Sequence, residues 1–225
     1  MVAVDPLASP PLPFIVPLPF SHVRGYNTEM WRVLFAFLFL LSPTAPESLQ
    51  FSQLFSEDGV TTEIARPETG EPWVRAAATI DAPPQVVCSL LSRFSDYAEL
   101  FSENIDSVRV LDAKGSAQRL HIVWGLPFPF RDRDAVVRYS IKQREKWCVI
   151  HWGDAAQNGD PAAEGIRIEH VEGRTEVEEG TNRGSKIVYF YYADLGGNLY
   201  SWAKESAYAG EPVAYFEAIR KALTK

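Results

Sequence analysis

Cysteine is scarce in this sequence, which contains only Cys88 and Cys148. Two cysteines are too few for a disulfide scaffold, and their spacing is not that of metal ligands. The favoured interpretation is two small apolar side chains buried in a core. Whether the two residues meet in space stays open at this point.

Basic residues are also few. The chain has 22 lysines and arginines against 29 aspartates and glutamates, so its net charge is −7. A nucleic-acid-binding protein normally carries a basic surface that neutralises phosphates. The composition therefore argues against nucleic acid as a partner and leaves neutral or zwitterionic ligands. The length of 225 residues suits one domain with an appendage.

Catalytic motifs are missing as well. The sequence contains no Gly-x-Ser-x-Gly elbow, phosphate-binding loop, His-Glu-x-x-His or Cys-x-x-Cys. His121 and His151 fall on predicted strands without a carboxylate at ligand spacing. We therefore expect no catalytic residues, no metal and no cofactor, although residues distant in sequence can still assemble a site in space.

No apolar run is long enough to span a membrane, because Val33–Leu41 falls far short of the roughly 20 residues that a spanning helix needs. With Met30 and Arg32 before it and small residues after it, the run predicts a signal peptide over residues 30–48, if translation begins at Met30. Residues 1–29 are proline-rich and are expected to be a disordered leader upstream of that start. The protein would then be exported, either secreted or periplasmic, and otherwise cytoplasmic. A disordered apolar leader and a membrane-surface anchor are the alternatives.

A folded domain is predicted from Ser56 to the C-terminus, residues 56–225. Gly59–Ala65 and Trp73–Ile80 are rich in β-branched residues and are predicted strands. Asp81 is the predicted N-cap of a following helix. The apolar face of that helix is expected to lie on the sheet and consists of Val87, Leu90, Leu91 and Phe94.

The middle of the chain is predicted to be an antiparallel meander, because it has runs of strand length and short connections. The predicted strands are Ser107–Leu111, Arg119–Trp124, Ala135–Ile141, Trp147–Trp152, Ile166–Val171 and Ser185–Tyr192. The acidic run Glu176–Glu179 is interpreted as a hairpin tip or a solvated edge. A helix then follows over Leu199–Tyr208, interrupted around Gly210 and Pro212. Its continuation has an inward stripe formed by Val213, Phe216, Ile219 and Leu223. This order of elements predicts an α+β fold.

The stretch Gly184–Trp202, GSKIVYFYYADLGGNLYSW, is the most informative part of the sequence. Its strand is apolar on both faces, so both faces need cover. Gly196 and Gly197 then provide a turn that leads directly into a helix. A strand of this kind, followed by a helix that crosses the sheet, favours a container.

Two segments resemble the START lipid-transfer domains. PFPFRDRD, at Pro127–Asp134, is similar to their Pro-Phe-Pro and Arg-Asp segment, and Gly184–Trp202 resembles their penultimate strand with its Gly-Gly corner. The similarity covers the chain from Ser56 and is greatest to the phosphatidylcholine transfer protein branch. Ala135 departs from that branch, whose choline-binding members have an aromatic residue there.

The resemblance implies a helix-grip fold, in which a curved antiparallel sheet wraps around the C-terminal helix and encloses a tunnel for one lipid or other hydrophobic molecule. It also implies a monomer that contacts membranes transiently, with the C-terminal helix as a lid. Gly210 and Pro212 are a candidate hinge, or a kink that shapes the helix without opening it.

The predicted ligand-binding residues follow from strand parity and the resemblance. They are Ile122, Trp124, Val137, Tyr139, Tyr189, Tyr191 and Trp202. Ordinary core packing is the alternative for the aromatic members of this set. Arg133 is a candidate to hold a phosphate oxygen through its guanidinium, and a solvated salt-bridge cluster is the alternative.

Three functions remain open. The favoured one is non-catalytic binding, and possible transfer, of a single lipid. The second is an enzyme resembling polyketide cyclases or aromatases, which would recruit acid and base groups such as Tyr139, Tyr189, Tyr191 or His151. The third is a sensor whose ligand changes its affinity for a partner.

Overall fold

The computed structural model describes residues 49–197 and 199–224. The predicted leader, residues 1–29, and the predicted signal peptide, residues 30–48, lie outside the described residues. Among the described residues, no helix combines the length and the apolar character that crossing a membrane requires.

One sheet dominates the structure. Its strand order is β1-β2-β3-β10-β9-β7-β6-β5-β4, all neighbours being antiparallel, and the short β8 pairs with β6 in parallel. This meander, with a long helix after the last strand, confirms the predicted α+β, helix-grip class. The strands are β1 (Ser52–Glu57), β2 (Val60–Ala65), β3 (Trp73–Ile80), β4 (Ile105–Lys114), β5 (Ala117–Trp124), β6 (Arg133–Arg144), β7 (Trp147–Asp154), β8 (Ile166–Arg167), β9 (Val171–Glu179) and β10 (Ser185–Ala193).

At two places the observed strands differ from the predicted ones. β1 begins at Ser52, ahead of the predicted domain start at Ser56. The predicted strand Ile166–Val171 is instead the short β8 followed by the start of β9. The acidic run belongs to the end of β9, where Val177 is buried between outward-facing glutamates. Because β9 alternates charged and small residues, its apolar content is too low to stand out as a core strand.

The first helices cover one end of the sheet. They are α1 (Pro84–Leu91) and the single-turn α2 (Tyr97–Leu100), separated by a short 3-10 turn at Phe94–Asp96. The predicted N-cap at Asp81 is wrong, since Pro83 occupies the cap position without any side-chain cap. Proline in the first turn has no N–H that needs a partner, so a polar cap is less necessary there. The predicted inward face is confirmed, because its four members are all buried.

The C-terminal helix, α3 (Ser201–Leu223), is continuous. The predicted interruption around Gly210 and Pro212 is therefore wrong, and Pro212 lies inside the helix with its ring buried. A proline within a helix removes one backbone hydrogen bond. Here packing on the sheet retains the helix, as Phe216 and Ile219 are fully buried.

The two cysteines form a disulfide bond that joins α1 to β7. Cys88 and Cys148 are buried, as expected, but the interpretation as two independent apolar side chains is wrong. Their Cα atoms are 6.1 Å apart and 60 residues separate them in sequence. Two cysteines form no scaffold, but a single pair can still fix one helix on the sheet.

Candidate ligand-binding interior

Strand β10 is covered on both faces, as its sequence predicts. Tyr189 and Tyr191 point to the side of α3 and are buried. On the opposite face, Phe190 lies under the guanidinium of Arg174, whose central carbon is 4.1 Å from the ring centroid. Phe51 contacts the same ring edge-on at 6.2 Å. The outer cover therefore comes from the protein itself, and the inner face is the one that meets the space between the sheet and α3.

An aromatic cluster fills that space. Ring contacts run from Tyr139 to Trp152 at 5.7 Å, from Trp152 to Tyr189 at 5.5 Å, and from Tyr189 to Tyr215 of α3 at 4.2 Å. Each of these rings is buried. We call this set the interior aromatic cluster, and its members are Phe94, Tyr97, Phe101, Tyr139, Trp152, Tyr189, Tyr191, Tyr215 and Phe216.

Gly173 of β9 makes room for this packing. A Cβ atom at this position would collide with the indole ring of Trp152 and with the backbone carbonyl of Phe190. Gly173 pairs with both Trp152 and Tyr191 in the sheet. The missing side chain therefore lets the indole lie flat across β9, between the rings of its neighbours.

One carboxyl group lies within this aromatic environment. Glu211 of α3 accepts a hydrogen bond from the hydroxyl of Tyr189 at 2.9 Å through Oε1, whereas its Oε2 is buried and has no partner among the described residues. Burial raises the pKa of Glu211 to about 7, and the hydrogen bond from Tyr189 opposes this rise. A carboxyl group in this setting can accept a hydrogen bond or exchange a proton near neutral pH.

The interior tyrosines stay neutral over the same range. Burial raises the pKa of Tyr189 and Tyr191, and the nearby Glu211 carboxylate raises them further. Tyr215 shares a hydrogen bond of 3.0 Å with the hydroxyl of Thr175. Their hydroxyls are therefore hydrogen-bonding groups and not bases, which leaves Glu211 as the titrating group of the cluster.

The structure brings most of the predicted site residues together. Tyr139, Tyr189 and Tyr191 belong to the interior aromatic cluster, Ile122 and Val137 are buried in the same core, and Trp124 packs against its edge. Arg133 and Trp202 are placed elsewhere. His151, considered as an acid or base of the enzyme alternative, lies on the opposite face of β7 from Trp152, because neighbouring side chains alternate.

Arg133 is buried, but its guanidinium already has partners. Nε donates to the carbonyl of Leu195 at 2.6 Å, Nη2 donates to that of Gly196 at 3.2 Å, and Nη1 donates to that of Arg131. It forms no salt bridge among the described residues, and its predicted contact with a phosphate stays a prediction. Arg133 instead holds the turn in which Gly196 and Gly197 have positive φ angles.

Trp202 is 64% exposed and belongs to a group of aromatic side chains at the surface. Its ring lies 6.3 Å from Tyr200 and 6.0 Å from Phe130. Phe128, in the same β5–β6 loop as Phe130, is 97% exposed. We call Phe128, Phe130, Tyr200 and Trp202 the surface aromatic patch. It lies where α3 begins.

The first two turns of α3, residues 201–207, are held by polar contacts. Arg66 and Glu205 form an exposed ion pair at 2.6 Å. Glu71 pairs with Lys204 and accepts a hydrogen bond of 2.8 Å from Tyr208. Exposed ion pairs contribute little stability. Residues 201–207, none of which is buried, are therefore less firmly attached than the part of the helix from Tyr208 to Ile219.

Surface depressions border α3, and the two described next contain no predicted site residue. One, of about 320 Å³, lies between α3 and the segment Leu100–Asn104, with Phe101 in its wall. The other, of about 440 Å³, lies between α1 and the end of α3. Phe101 also stacks on Tyr215 at 5.1 Å, so the first depression ends where the interior aromatic cluster begins.

Sequence reasoning missed Glu211, Tyr215, Trp152 and Thr175 as members of this interior. Glu211 is the most informative of them. It lies three residues after Tyr208 and four before Tyr215, on the buried side of α3. An acidic residue within an otherwise apolar helical stripe is the signal that could have identified it.

Neither a comparison with protein-family models nor one with curated protein sequences finds a match. Solved structures do match. The STAR-related lipid transfer protein from Xanthomonas axonopodis has a TM-score of 0.68 and 18% identity, over 78% of this chain and 99% of that chain. The lipid transfer and protein localization domain of human StarD13 has a TM-score of 0.64 and 18% identity, over 88% and 98%.

A solved enzyme structure shares the architecture. The Zhui aromatase/cyclase from Streptomyces sp. R1128 has a TM-score of 0.52 and 15% identity, over 67% of this chain and 92% of that chain. At such identities the likeness shows the fold. The chain is a helix-grip protein of the α+β class. More particularly, it has the fold of the START-related lipid transfer domains, as the sequence resemblance predicts, whereas the phosphatidylcholine transfer protein branch stays a prediction.

Proposed function

We propose that this protein binds one lipid or other hydrophobic molecule between the sheet and α3, without chemical conversion. The observation that carries this proposal is the buried Oε2 of Glu211, an unpaired polar atom among aromatic rings. Interiors that serve packing alone satisfy their polar groups. Binding sites for small molecules instead combine apolar walls with a few polar groups that await a partner.

The space between the sheet and α3 is packed with the protein's own side chains, so a lipid would enter only after α3 moves away and would then be enclosed when it returns. Each methylene taken from water contributes roughly 0.8 kcal/mol, so a chain of about 16 carbons represents on the order of 12 kcal/mol. The ligand must therefore travel in a dry interior. The fold shared with named lipid transfer proteins supports this function.

Uptake requires the interior aromatic cluster to open. Tyr215 lies against Tyr189, so a ligand enters between them only when α3 moves away from β10. The opening starts at residues 201–207, which have no buried side chain, and must extend past Pro212 to release Tyr215 from Tyr189. α3 thereby acts as a lid.

The surface aromatic patch is the proposed membrane contact. Tryptophan and tyrosine side chains favour the interface between water and lipid, because each combines an apolar ring with a polar group. Tyr200 and Trp202 stand at the N-terminal end of the lid. Transient binding of the patch would place the opening of the interior at the bilayer surface. The protein is proposed to act there as a monomer.

The disulfide supports an exported location. Disulfide bonds persist in oxidising compartments such as the periplasm and the cell exterior, and are rare in the cytosol. The Cys88–Cys148 bond fits the predicted signal peptide at residues 30–48.

A cyclase-like enzyme is the second candidate, and Glu211 also supports it. A carboxyl group with a pKa of about 7 beside the Tyr189 hydroxyl is suited to acid–base work. Both proposals use the same interior. They differ in whether the bound molecule leaves unchanged.

Vesicle assays test the favoured function. Donor vesicles that contain self-quenched fluorescent phosphatidylcholine or fluorescent sterol are mixed with the protein. Binding predicts a fluorescence increase that saturates at one lipid per protein, and transfer predicts continued increase when acceptor vesicles are added. No increase with either probe contradicts the proposal. Recovery of a chemically altered molecule favours the enzyme.

A further inference from the structure

Glu211 has an unusual position for a charged residue. It lies on the buried side of α3, between Tyr208 and Tyr215, and its Oε1 accepts the hydrogen bond from Tyr189. Its Oε2 is buried without a partner, and no salt bridge among the described residues includes it. Half of the carboxyl group is therefore satisfied by the protein and half is not.

Packing does not explain this arrangement. A buried carboxyl oxygen without a hydrogen bond is unfavourable, and a leucine at the same position of the helical stripe would avoid the penalty. An entirely apolar ligand would leave the oxygen in the same state. A ligand with a hydrogen-bond donor would satisfy it.

We propose that Glu211 is the polar anchor of the ligand site, and that its Oε2 accepts a hydrogen bond from a donor group, a hydroxyl or an ammonium, on the bound hydrophobic molecule. This inference rests on the proposed binding function and specifies its ligand class. Ligands that present only acceptors, such as an ester or an ether, cannot make this contact with the carboxylate.

The surroundings of Glu211 suit both kinds of donor. The tyrosines that face it are Tyr189 and Tyr191 from β10, Tyr139 from β6, and Tyr215 from α3. All have raised pKa values because they are buried, so none carries charge at neutral pH. Glu211 is consequently the group whose protonation sets the local charge. Aromatic ring faces also tolerate an ammonium group.

Matched probe pairs test this proposal. Phosphatidylcholine vesicles are doped with 1-hexadecanol or its methyl ether, with cholesterol or its methyl ether, or with hexadecylamine. The full chain is recovered from the vesicles, and bound probe is quantified by mass spectrometry. We expect at least one donor probe to exceed its non-donor partner about tenfold, the effect of one hydrogen bond in an apolar site.

Variants connect the preference to Glu211. E211L is expected to bind a donor probe and its methyl ether equally. E211Q is expected to lose the preference as well, because its one oxygen accepts from Tyr189 and the amide nitrogen that replaces Oε2 is a donor. E217Q is the control, because Glu217 is exposed on the same helix. Urea unfolding of each variant confirms that it is folded.

The pH dependence separates the two donors. Binding of hexadecylamine should increase as the pH rises through about 7, because an ammonium favours the carboxylate form of Glu211. Binding of hexadecanol should change little.

The proposal is overturned if folded E211L keeps the full donor preference, or if the wild-type protein binds both members of each pair equally. In the second case lipid binding itself stands. Failure to bind any probe overturns both proposals.

Discussion

Tyr189 of β10 and Tyr215 of α3 lie face to face, with ring centroids 4.2 Å apart and planes 7° from parallel. This contact connects the sheet to the helix at the centre of the interior aromatic cluster. Tyr189 also donates to Glu211, and Tyr215 bonds with Thr175. The two rings therefore hold α3 against the sheet, and their hydroxyls bond to Glu211 and Thr175.

Substitution of Tyr215 should separate stability from uptake. Y215A removes a buried ring and is expected to lower the free energy of unfolding by about 3 to 5 kcal/mol. The same change should accelerate lipid uptake from vesicles, because the lid loses its contact with Tyr189. Urea unfolding and the fluorescent-lipid assay provide the two measurements.

Y215F is the matched control for this prediction. It keeps the ring and loses the hydrogen bond with Thr175, so a loss of about 1 kcal/mol and nearly normal uptake are expected. Slower uptake by folded Y215A would contradict the role of this contact in closing the interior.

Glu211 should make stability fall as the pH rises. Its folded pKa, about 7, is above the unfolded value of 4.5, so between these values the folded protein binds more protons than the unfolded chain. The free energy of unfolding should decrease over this interval, by on the order of 3 kcal/mol for the full shift. Measuring urea unfolding at pH 5, 6, 7 and 8 tests the trend.

E211Q should remove this contribution, so the difference in stability between E211Q and the wild-type protein should grow from pH 5 to pH 7 and then stay constant. E217Q should follow the wild-type curve, since Glu217 is exposed. If the free energies of unfolding of E211Q and the wild-type protein change in parallel with pH, Glu211 ionises as it does in water and the prediction is wrong.

The disulfide should contribute strongly to stability. Closing a segment of 60 residues restricts the unfolded chain by roughly 4 kcal/mol in the chain-entropy account. The double variant C88S/C148S should lose a comparable amount in urea unfolding under oxidising conditions. Reductant should destabilise the wild-type protein and leave the variant unchanged. Equal sensitivity of both proteins to reductant would contradict this assignment.

The surface aromatic patch should affect membrane binding and not folding. W202A is expected to weaken binding to vesicles about tenfold, because one large apolar side chain no longer enters the interface. Its thermal stability should change little, since Trp202 is largely exposed. Vesicle co-sedimentation and thermal unfolding measure the two effects.

Trp147 provides the control, because it is a 40% exposed tryptophan on β7, outside the patch. W147A should bind vesicles as the wild-type protein does. If W147A and W202A weaken binding equally, the effect is general hydrophobicity and the patch has no special role.

The sequence predicts the strands well where apolar residues recur at strand spacing. Trp73–Ile80 matches β3 at both ends, and the predicted segments of β5, β6 and β7 lie within the observed strands. β9 was mostly missed because its position between β7 and β10, and not its own composition, makes it part of the core. The continuity of α3 through Pro212 likewise depends on packing that local propensity does not include.

The candidate site could be predicted in part, where it depends on local patterns in the sequence. Strand parity is a local property that groups residues on one face, and the resemblance put the faces of Tyr139, Tyr189 and Tyr191 inward, where the structure has them. The hydrogen bond from Tyr189 to Glu211, like the disulfide between Cys88 and Cys148, joins residues whose proximity comes from the closed fold. Arg133 was expected at a phosphate because its guanidinium is a planar fork of donors, and nothing in the sequence indicated that backbone carbonyls of the Gly196 turn would accept from it.

Native mass spectrometry tests the central claim most directly. The purified full chain is measured as isolated and after incubation with vesicles of mixed phospholipids and sterols, and bound molecules are extracted and identified. The account predicts one hydrophobic molecule per folded chain, chemically unchanged and released on denaturation. A folded protein that stays empty in both preparations would contradict it.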